Sequence, residues 1–179
     1  MSHVLHLILE YTAYQSINDA AKAGNIRCLK YLRKQGCPWD EWTCRHAASH
    51  GHLNCLKYAH ENECPWDRWT CENAAWHGHV DCLKYAHEHV CPWNEKTCHY
   101  AAFKGQLECL KYAHEHGCPW DVDTCKHAAY YGQLECLKYA HENGCPWNEN
   151  TYELATPMCK KYMESQGFQG FQGFQGFRV

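Results

Sequence analysis

One stretch decides the fold: residues 37–63 read CPWDEWTCRHAASHGHLNCLKYAHENE. Its opening Cys-Pro-Trp returns every 27 residues, at positions 37, 64, 91, 118 and 145. Each complete copy also carries Thr-Cys-x-x-Ala-Ala, then Gly, then Cys-Leu-Lys-Tyr-Ala-His-Glu. Self-similarity at a fixed period of this length is typical of repeat proteins, in which each unit packs only against its neighbours. We therefore predict one elongated domain of stacked units.

Four repeats are complete, and those at either end are degenerate. The complete repeats fill residues 37–144, whereas residues 145–166 form a truncated last repeat. Residues 1–36 are predicted to hold a degenerate first repeat preceded by a capping helix, since the apolar side chains near the start have helical spacing. They are Val4, Leu5, Ile8 and Leu9. Atypical end repeats are expected because an outermost unit closes the core on one side only.

Residues 167–179 repeat Gly-Phe-Gln. The glycine period resembles that of collagen, but the absence of proline argues against a triple helix. The segment is predicted to be a flexible tail, a sticky peptide, or a cap that folds back over the last repeat.

Each repeat is predicted to form a pair of short helices. In the first complete repeat, Asp40 is a good N-cap for a helix over about residues 41–50. Gly51 would end it through a positive φ, and a second helix would follow over about residues 52–62. Neither helix is long enough to be stable alone, so both depend on stacking.

Composition narrows the class of protein. The formal net charge of −3 shows no basic excess of the kind that nucleic-acid binders carry. Residues 1–13 resemble neither a secretory signal nor a membrane span. We expect a soluble, cytoplasmic monomer, without affinity for nucleic acid or membrane and without a cofactor.

The helix pair resembles a known family. The run TCRHAASHGHLNCLKYAHEN at residues 43–62 is similar to the helix-turn-helix part of an ankyrin repeat, and the resemblance covers about residues 16–162. It implies an all-α, ankyrin-like solenoid. Ankyrin units have about 33 residues, so the long β-hairpin finger would be missing here. Short Cys-Pro-Trp units of this kind resemble those of giant DNA viruses and protists.

The fifteen cysteines allow two interpretations. Core packing is favoured, because the position of Cys44 is taken by Ile17 in the first repeat and by Tyr152 in the last. The alternative is zinc, held by Cys44, Cys55, His60, Cys64 and their copies. It is weakened by the absence of any Cys-x-x-Cys. Disulfides in a cytosolic protein would more readily be oxidation artefacts.

Repeated tryptophans could stack on bases or sugars. Because each follows a fixed proline between helix pairs, a packing wedge between repeats is the better interpretation. The invariant Lys57, Tyr58, His60 and Glu61 are predicted to be exposed and to record recent duplication.

Positions that vary between repeats form two rows on the exposed side of the first helix, so stacking would join them into one surface. Ankyrin-like stacks usually dock partners there. The residues proposed for this surface are Trp42, His46, Arg68, Trp69, Trp76, His77, Lys96, Tyr100, Phe103, Lys104, Lys126, Tyr130 and Tyr131. Their many aromatics favour a protein partner. The charges are nearly balanced, with Glu72 among the acids, which disfavours a phosphate backbone.

The functional prediction is a non-enzymatic protein interaction module, directed at a host protein if the viral resemblance holds. Every Cys/His neighbour pair recurs in each repeat, whereas a catalytic site is ordinarily a unique constellation in a pocket. The alternative function is a zinc-binding or redox-responsive repeat protein.

Overall fold

The computed structural model describes residues 16–168. The chain divides into two compact units, residues 1–93 and residues 94–179. In the described part of each unit the regular structure consists of three helix pairs, and residues 16–168 contain no β-strand. The capping helix predicted near Val4, Leu5, Ile8 and Leu9 lies outside the described residues.

Unit 1 holds the first three helix pairs. They are α1 (Ile17–Lys22) with α2 (Ile26–Lys34), α3 (Glu41–Ser49) with α4 (Leu53–Glu61), and α5 (Arg68–His77) with α6 (Val80–Glu88). The first helices α1, α3 and α5 pack side by side, and the second helices α2, α4 and α6 form a parallel row behind them.

Unit 2 repeats the arrangement. Its pairs are α7 (Glu95–Lys104) with α8 (Leu107–Glu115), α9 (Val122–Tyr130) with α10 (Leu134–Glu142), and α11 (Glu149–Leu154) with α12 (Pro157–Ser165). In both units we call the row of first helices the first-helix layer and the row of second helices the second-helix layer.

An Asp or Asn side chain begins each first helix from α3 onward. Asp40 has extended backbone geometry, and its carboxylate accepts the Trp42 N–H at 3.1 Å. Asp67, Asn94, Asp121 and Asn148 cap the later copies in the same way. The predicted N-cap is confirmed, and the proline ahead of each cap keeps the linker from continuing as helix.

Glycine ends the first helix because of both its backbone angle and its neighbour. Gly51 has φ 71°, and a Cβ there would lie 2.6 Å from Nδ1 of His79. That imidazole lies against the turn because its Nε2 hydrogen-bonds the Ser49 carbonyl at 3.1 Å. Because glycine has no side chain, it leaves room for the His79 imidazole, whose hydrogen bond joins the second complete repeat to the first.

The core between the layers uses the same positions in each repeat. Ala47, Ala48, Cys55, Leu56 and Ala59 are at most 1% exposed. Alanines on the first helix let the two layers approach closely, while one leucine per repeat fills the remaining space. The short helices are stable because this burial continues from one repeat to the next.

The last repeat closes its open end with aromatic rings. Phe168 stands where other repeats place the linker cysteine, and its N–H donates to the Met163 carbonyl at 3.1 Å. Its ring lies 5.5 Å from that of Tyr152 and 6.3 Å from that of Trp147. The first phenylalanine of the Gly-Phe-Gln segment is thus part of the cap; residues 169–179 lie outside the described residues.

Candidate partner-binding faces

Twelve of the thirteen residues proposed for partner binding lie on the first helices, and Tyr131 is the residue directly after α9. Exposed side chains are Trp42, Arg68, Trp69, His77, Lys104, Tyr130 and Tyr131. Half-buried ones are His46, Trp76, Lys96, Tyr100, Phe103 and Lys126. None is fully buried, so each retains surface that a partner could contact.

The face of unit 1 presents two indole rings. Trp42 is 50% exposed and Trp69 is 37% exposed, each near the start of its helix. The Arg45 guanidinium lies 4.6 Å from the Trp42 ring centre, and the His46 ring lies 5.7 Å from it. These contacts fix the orientation of the indole while leaving half of it open to solvent.

A group of histidines lies at the other end of these helices in unit 1. His46, His50, His52, His77 and His79 form a chain of ring contacts, which we call the histidine cluster. The ring centre of His50 lies 6.4 Å from that of His46, 6.2 Å from that of His52 and 6.5 Å from that of His77. The ring centres of His77 and His79 are 6.3 Å apart.

Two histidines of the cluster have a lowered pKa. Burial and the charge of His50 lower the pKa of His46. Burial, opposed in part by a backbone hydrogen bond, lowers the pKa of His79. Of these five histidines, only His46 and His77 were predicted from the sequence to contact a partner. The missed signal was that two successive repeats carry His at both ends of the Gly turn, as His50/His52 and His77/His79, where later repeats carry Lys, Tyr or Gln.

The face of unit 2 is aromatic. The Phe103 and Tyr131 rings lie 4.1 Å apart, and the Tyr130 and Tyr131 rings lie 4.7 Å apart. Tyr130 remains 48% exposed and Tyr131 46%. These tyrosines line a cavity of about 170 Å³ together with Lys126, His127 and Leu154. Leu154, 44% exposed, was missed by the sequence analysis because it falls in the degenerate last repeat.

Charges on the faces are largely paired within the chain. Arg45 bonds to Asp67 through two guanidinium nitrogens and lies 3.7 Å from Glu41. Lys126 pairs with Asp123, and this hydrogen bond lowers the pKa of the Asp123 carboxyl.

One charge was misplaced by the sequence analysis. Glu72 was counted on the exposed face, but its side chain is 1% exposed. Its carboxylate lies 3.7 Å from the Arg68 guanidinium. The side chain is buried, so it belongs to the packing between helices and not to the exposed face.

The prediction that four invariant side chains of the second helices are exposed is confirmed for Glu61 and wrong for Lys57, Tyr58 and His60. Tyr58 and His60 are half-buried, and the copies Tyr85 and Tyr112 are only 7% and 8% exposed. His60 stacks on Trp66 of the next repeat at 3.9 Å, and its Nδ1 hydrogen-bonds the Tyr85 hydroxyl at 3.0 Å. The Trp66 ring meets Tyr85 edge-on at 6.3 Å.

The same His-Trp-Tyr cluster occurs in unit 2. His114 stacks on Trp120 at 3.7 Å and hydrogen-bonds Tyr139 at 3.1 Å. Where the first repeat has Arg33 instead of His, the guanidinium lies 4.2 Å over the Trp39 ring. The predicted role of the tryptophans as wedges between repeats is confirmed, and invariance in this layer has a packing cause.

The thiols are core groups, as predicted. Fourteen of the fifteen are buried, and the exception is the half-buried Cys37. The linker cysteine of each later repeat donates its thiol hydrogen to an N-cap carbonyl, as Cys64 does to Asp40 at 3.3 Å and Cys118 to Asn94 at 3.1 Å. A small side chain that still donates a hydrogen bond suits this place, which explains why cysteine stands there.

Burial makes several of these thiols poor nucleophiles. It raises the pKa of Cys55 to about 11 and that of Cys136 to about 12. The hydrogen bond to Cys64, followed by burial, raises the pKa of Cys44 far above its ordinary value. Hydrogen bonds with Cys44 and Cys125 instead lower the pKa of the buried linker thiols Cys64 and Cys145. The thiolate is the reactive form, so a thiol whose pKa is raised reacts slowly at neutral pH.

The residues of the zinc alternative are only partly brought together. Cys44 contacts Cys64, but His60 turns its ring to Trp66 and Tyr85 instead. Among residues 16–168, no three His, Cys, Asp or Glu side chains are arranged to hold a metal ion.

Comparison with known proteins agrees with this architecture. A family model described as ankyrin repeats (many copies) matches residues 17–60 and 44–87. Over residues 17–87 the sequence is therefore similar to ankyrin repeats. The crystal structure of the human ASB11 ankyrin repeat domain has a similar fold. The match covers 89% of this chain and 89% of that one, with TM-score 0.67 and 18% sequence identity. No curated protein matches the chain in sequence.

The ankyrin resemblance extends beyond the matched residues at the level of fold. The prediction of an all-α, ankyrin-like repeat fold without long β-hairpin fingers is confirmed for residues 16–168. Ankyrin repeats are scaffolds for protein binding and are typically non-enzymatic. Within the described part of the chain, no helix is both long and apolar enough to span a bilayer.

Proposed function

We propose that this protein is a non-enzymatic interaction module that binds a protein partner through the exposed faces of its first helices. The observation that carries the proposal is the aromatic face of unit 2. There Tyr130 and Tyr131 are nearly half exposed beside a cavity of about 170 Å³. Large adjacent aromatics left open to solvent are typical of interface anchors.

The charges on these faces support a protein partner over a nucleic acid. Arg45 and Lys126 are already paired with Asp67 and Asp123, so their charges are partly neutralised within the chain. Binding to a phosphate backbone depends on several cations that are free to replace counterions. Aromatic rings with a few paired charges are more typical of protein interfaces.

The thiol chemistry supports a role in binding over catalysis, zinc binding or redox sensing. A redox sensor or a nucleophile needs an accessible thiolate, whereas burial raises the pKa of Cys55 to about 11. A structural zinc site needs four converging ligands, and His60 is engaged with aromatic rings. We therefore regard the cysteines as packing groups that stabilise the scaffold.

We also propose an intracellular, cytoplasmic setting and a monomeric state. Many free thiols in one chain suit a reducing compartment. The resemblance to short-unit arrays of giant DNA viruses suggests a host protein as the partner and the cytoplasm of the host cell as the place of binding.

The proposal is tested by affinity capture from cell lysate. The wild type is compared with a variant in which Trp69, Tyr100, Phe103 and Tyr130 are replaced by alanine. The matched control is Tyr31→Ala, which removes a 41% exposed tyrosine from the second-helix layer. All three proteins must give the same helical circular dichroism.

We expect a captured protein that the quadruple variant loses and the control keeps. Equal capture by all three, or capture by none, would contradict binding through the first helices.

A further inference from the structure

The histidine cluster of unit 1 combines several titratable groups on one surface. His50 and His77 are exposed, and His46, His52 and His79 are half-buried. The cluster is specific to this unit. In unit 2 the corresponding positions are Tyr100, Lys104, Gln106, Tyr131 and Gln133. Recent duplication therefore does not account for it.

Three of the rings have one nitrogen bound to the backbone and can still accept a proton at the other. His52 Nε2 lies 3.1 Å from the Lys22 carbonyl, and His79 Nε2 lies 3.1 Å from the Ser49 carbonyl. His50 Nδ1 lies 3.0 Å from the His46 carbonyl. A carbonyl only accepts, so these nitrogens carry the hydrogens. Proton uptake at the opposite nitrogen adds a donor and a positive charge without breaking these bonds.

The charged groups around the cluster are few and mixed in sign. Lys22 and Asp19 face it from α1, and Asp40 faces it from the linker before α3. On α5, Arg68 lies beside the buried Glu72. Asp81 lies in the first turn of α6, after His79. The carboxyl end of α3 and the amino end of α4 meet here, so the opposite helix dipoles largely offset each other. The charge of this surface therefore depends on how many histidines are protonated.

An open space adjoins the cluster. A cavity of about 320 Å³ is lined by Gly24, Gly51, His52, Leu53, Asn54 and Cys55. In the first turn of α6, α8 and α10 an acidic residue is present, namely Asp81, Glu108 and Glu135. At the corresponding place α4 has the neutral Asn54. In three repeats a carboxylate of a partner would therefore be repelled by an acidic side chain at this place. Beside His52 that repulsion is absent.

We propose that the histidine cluster binds an acidic segment of the protein partner, and that this binding strengthens as the pH falls. The inference rests on the proposed function and names the chemistry of the partner at the face of unit 1. Mutual repulsion disfavours several positive rings in the free protein. Carboxylates beside the rings relieve that repulsion, so binding is coupled to proton uptake. By linkage, an acidic ligand that raises histidine pKa values must bind more tightly at low pH.

The test uses a fluorescein-labelled octa-aspartate peptide, with an octa-lysine peptide as the charge-reversed probe. Fluorescence anisotropy gives Kd at low ionic strength, at about pH 7.5 and about pH 5.5, because ordinary histidines change charge between these values. We expect octa-aspartate to bind about tenfold more tightly at the lower pH. Octa-lysine should not bind more tightly there.

Matched variants separate the cluster from other histidines. His50→Gln with His77→Gln should reduce the pH effect to less than about twofold, as expected for two fewer titrating groups. The control is His89→Gln with His116→Gln, which removes two exposed histidines from the second-helix layer and should leave the effect intact. Asn54→Glu, which copies the residue of α8 and α10, should weaken binding of octa-aspartate at both pH values.

Proton NMR of the histidine rings gives a second measurement. Octa-aspartate should raise the pKa of the cluster histidines in the wild type and leave that of His89 unchanged. A pH-independent Kd in the wild type, or a pH effect retained by the His50/His77 variant, would overturn the inference.

The two proposals fail separately. If octa-aspartate shows no proton-linked binding while the aromatic variant still loses its captured partner, only the histidine inference is wrong. If proton-linked binding is present and capture does not depend on the aromatic residues, the inference about peptide chemistry stands and the proposed function fails.

Discussion

The two helix layers differ in how much their sequences vary from repeat to repeat. In the first-helix layer, one position is occupied by Trp42, Trp69, Lys96 and Asp123 in successive repeats. In the second-helix layer, Tyr, His and Lys return unchanged in every complete repeat. The structure gives the reason: His60 contacts both the tryptophan and the tyrosine of the next repeat. Constancy between repeats marks a contact that joins repeats, whereas the variable positions form the surface that we propose for partner binding.

Replacing a linker tryptophan should have the largest effect on stability. Trp120→Ala removes the ring that stacks on His114 at 3.7 Å and meets Tyr139 edge-on at 6.2 Å. We expect a loss of about 2 to 3 kcal/mol, below the range for fully buried tryptophans because this one is half-buried. Urea unfolding followed by circular dichroism measures it. A loss no greater than that of Tyr130→Ala would contradict the distinction between the layers.

Removing one hydroxyl from the second-helix layer should have an intermediate effect. Tyr139→Phe keeps the ring but deletes the hydrogen bond to His114 Nδ1 at 3.1 Å. A loss of about 1 kcal/mol is expected, because the imidazole nitrogen is left without its partner in a half-buried place. The matched control, Tyr130→Phe on the exposed face, should leave the urea midpoint unchanged. Equal effects of the two substitutions would show that the His-Tyr bond contributes nothing.

Acidification should destabilise the chain by a smaller amount. Burial lowers the pKa of His46, His60 and His99 in the folded protein, so each binds fewer protons there than in the unfolded chain. Stability conferred by the neutral rings is therefore full above the ordinary histidine pKa of about 6.5 and declines as the pH falls through and below it. Thermal melting at about pH 7.5 and about pH 5.5 checks the sign. A higher Tm at the acidic pH in the absence of an acidic ligand would be the wrong sign.

Alanine on the aromatic face should have the smallest effect on stability. Tyr130→Ala is expected to change the free energy of unfolding by less than about 0.5 kcal/mol, because nearly half of the ring is exposed. The same substitution should weaken capture of the partner. If stability falls by more than about 1 kcal/mol while capture is unchanged, the ring serves packing and not recognition.

Much of the fold follows from the sequence because its signals are local. The 27-residue period, the cap at Asp40 and the turn at Gly51 each depend on neighbouring residues. The helix bounds accordingly differ from the expected ones by only a residue at either end. Alanines and small thiols at fixed positions likewise identify the buried side of the helices.

The rest depends on contacts between repeats, which no single repeat reveals. The ring contacts among His60, Trp66 and Tyr85 join two adjacent repeats. They can therefore be recognised only once the helix pairs are packed against each other in the structure. The burial of Glu72 depends on the neighbouring helices, although the position resembles a surface site in isolation. Phe168 was assigned to the tail by its Gly-Phe-Gln composition, yet its backbone continues the register of the repeats.

Covalent footprinting of tyrosines in the captured complex tests the central claim most directly. Modification of each tyrosine is measured by mass spectrometry, with and without the partner. Binding through the first helices predicts that Tyr130 and Tyr131 are protected in the complex, while Tyr31 on the second-helix layer reacts as before. Protection of Tyr31 with unchanged reactivity of Tyr130 and Tyr131 would contradict the account.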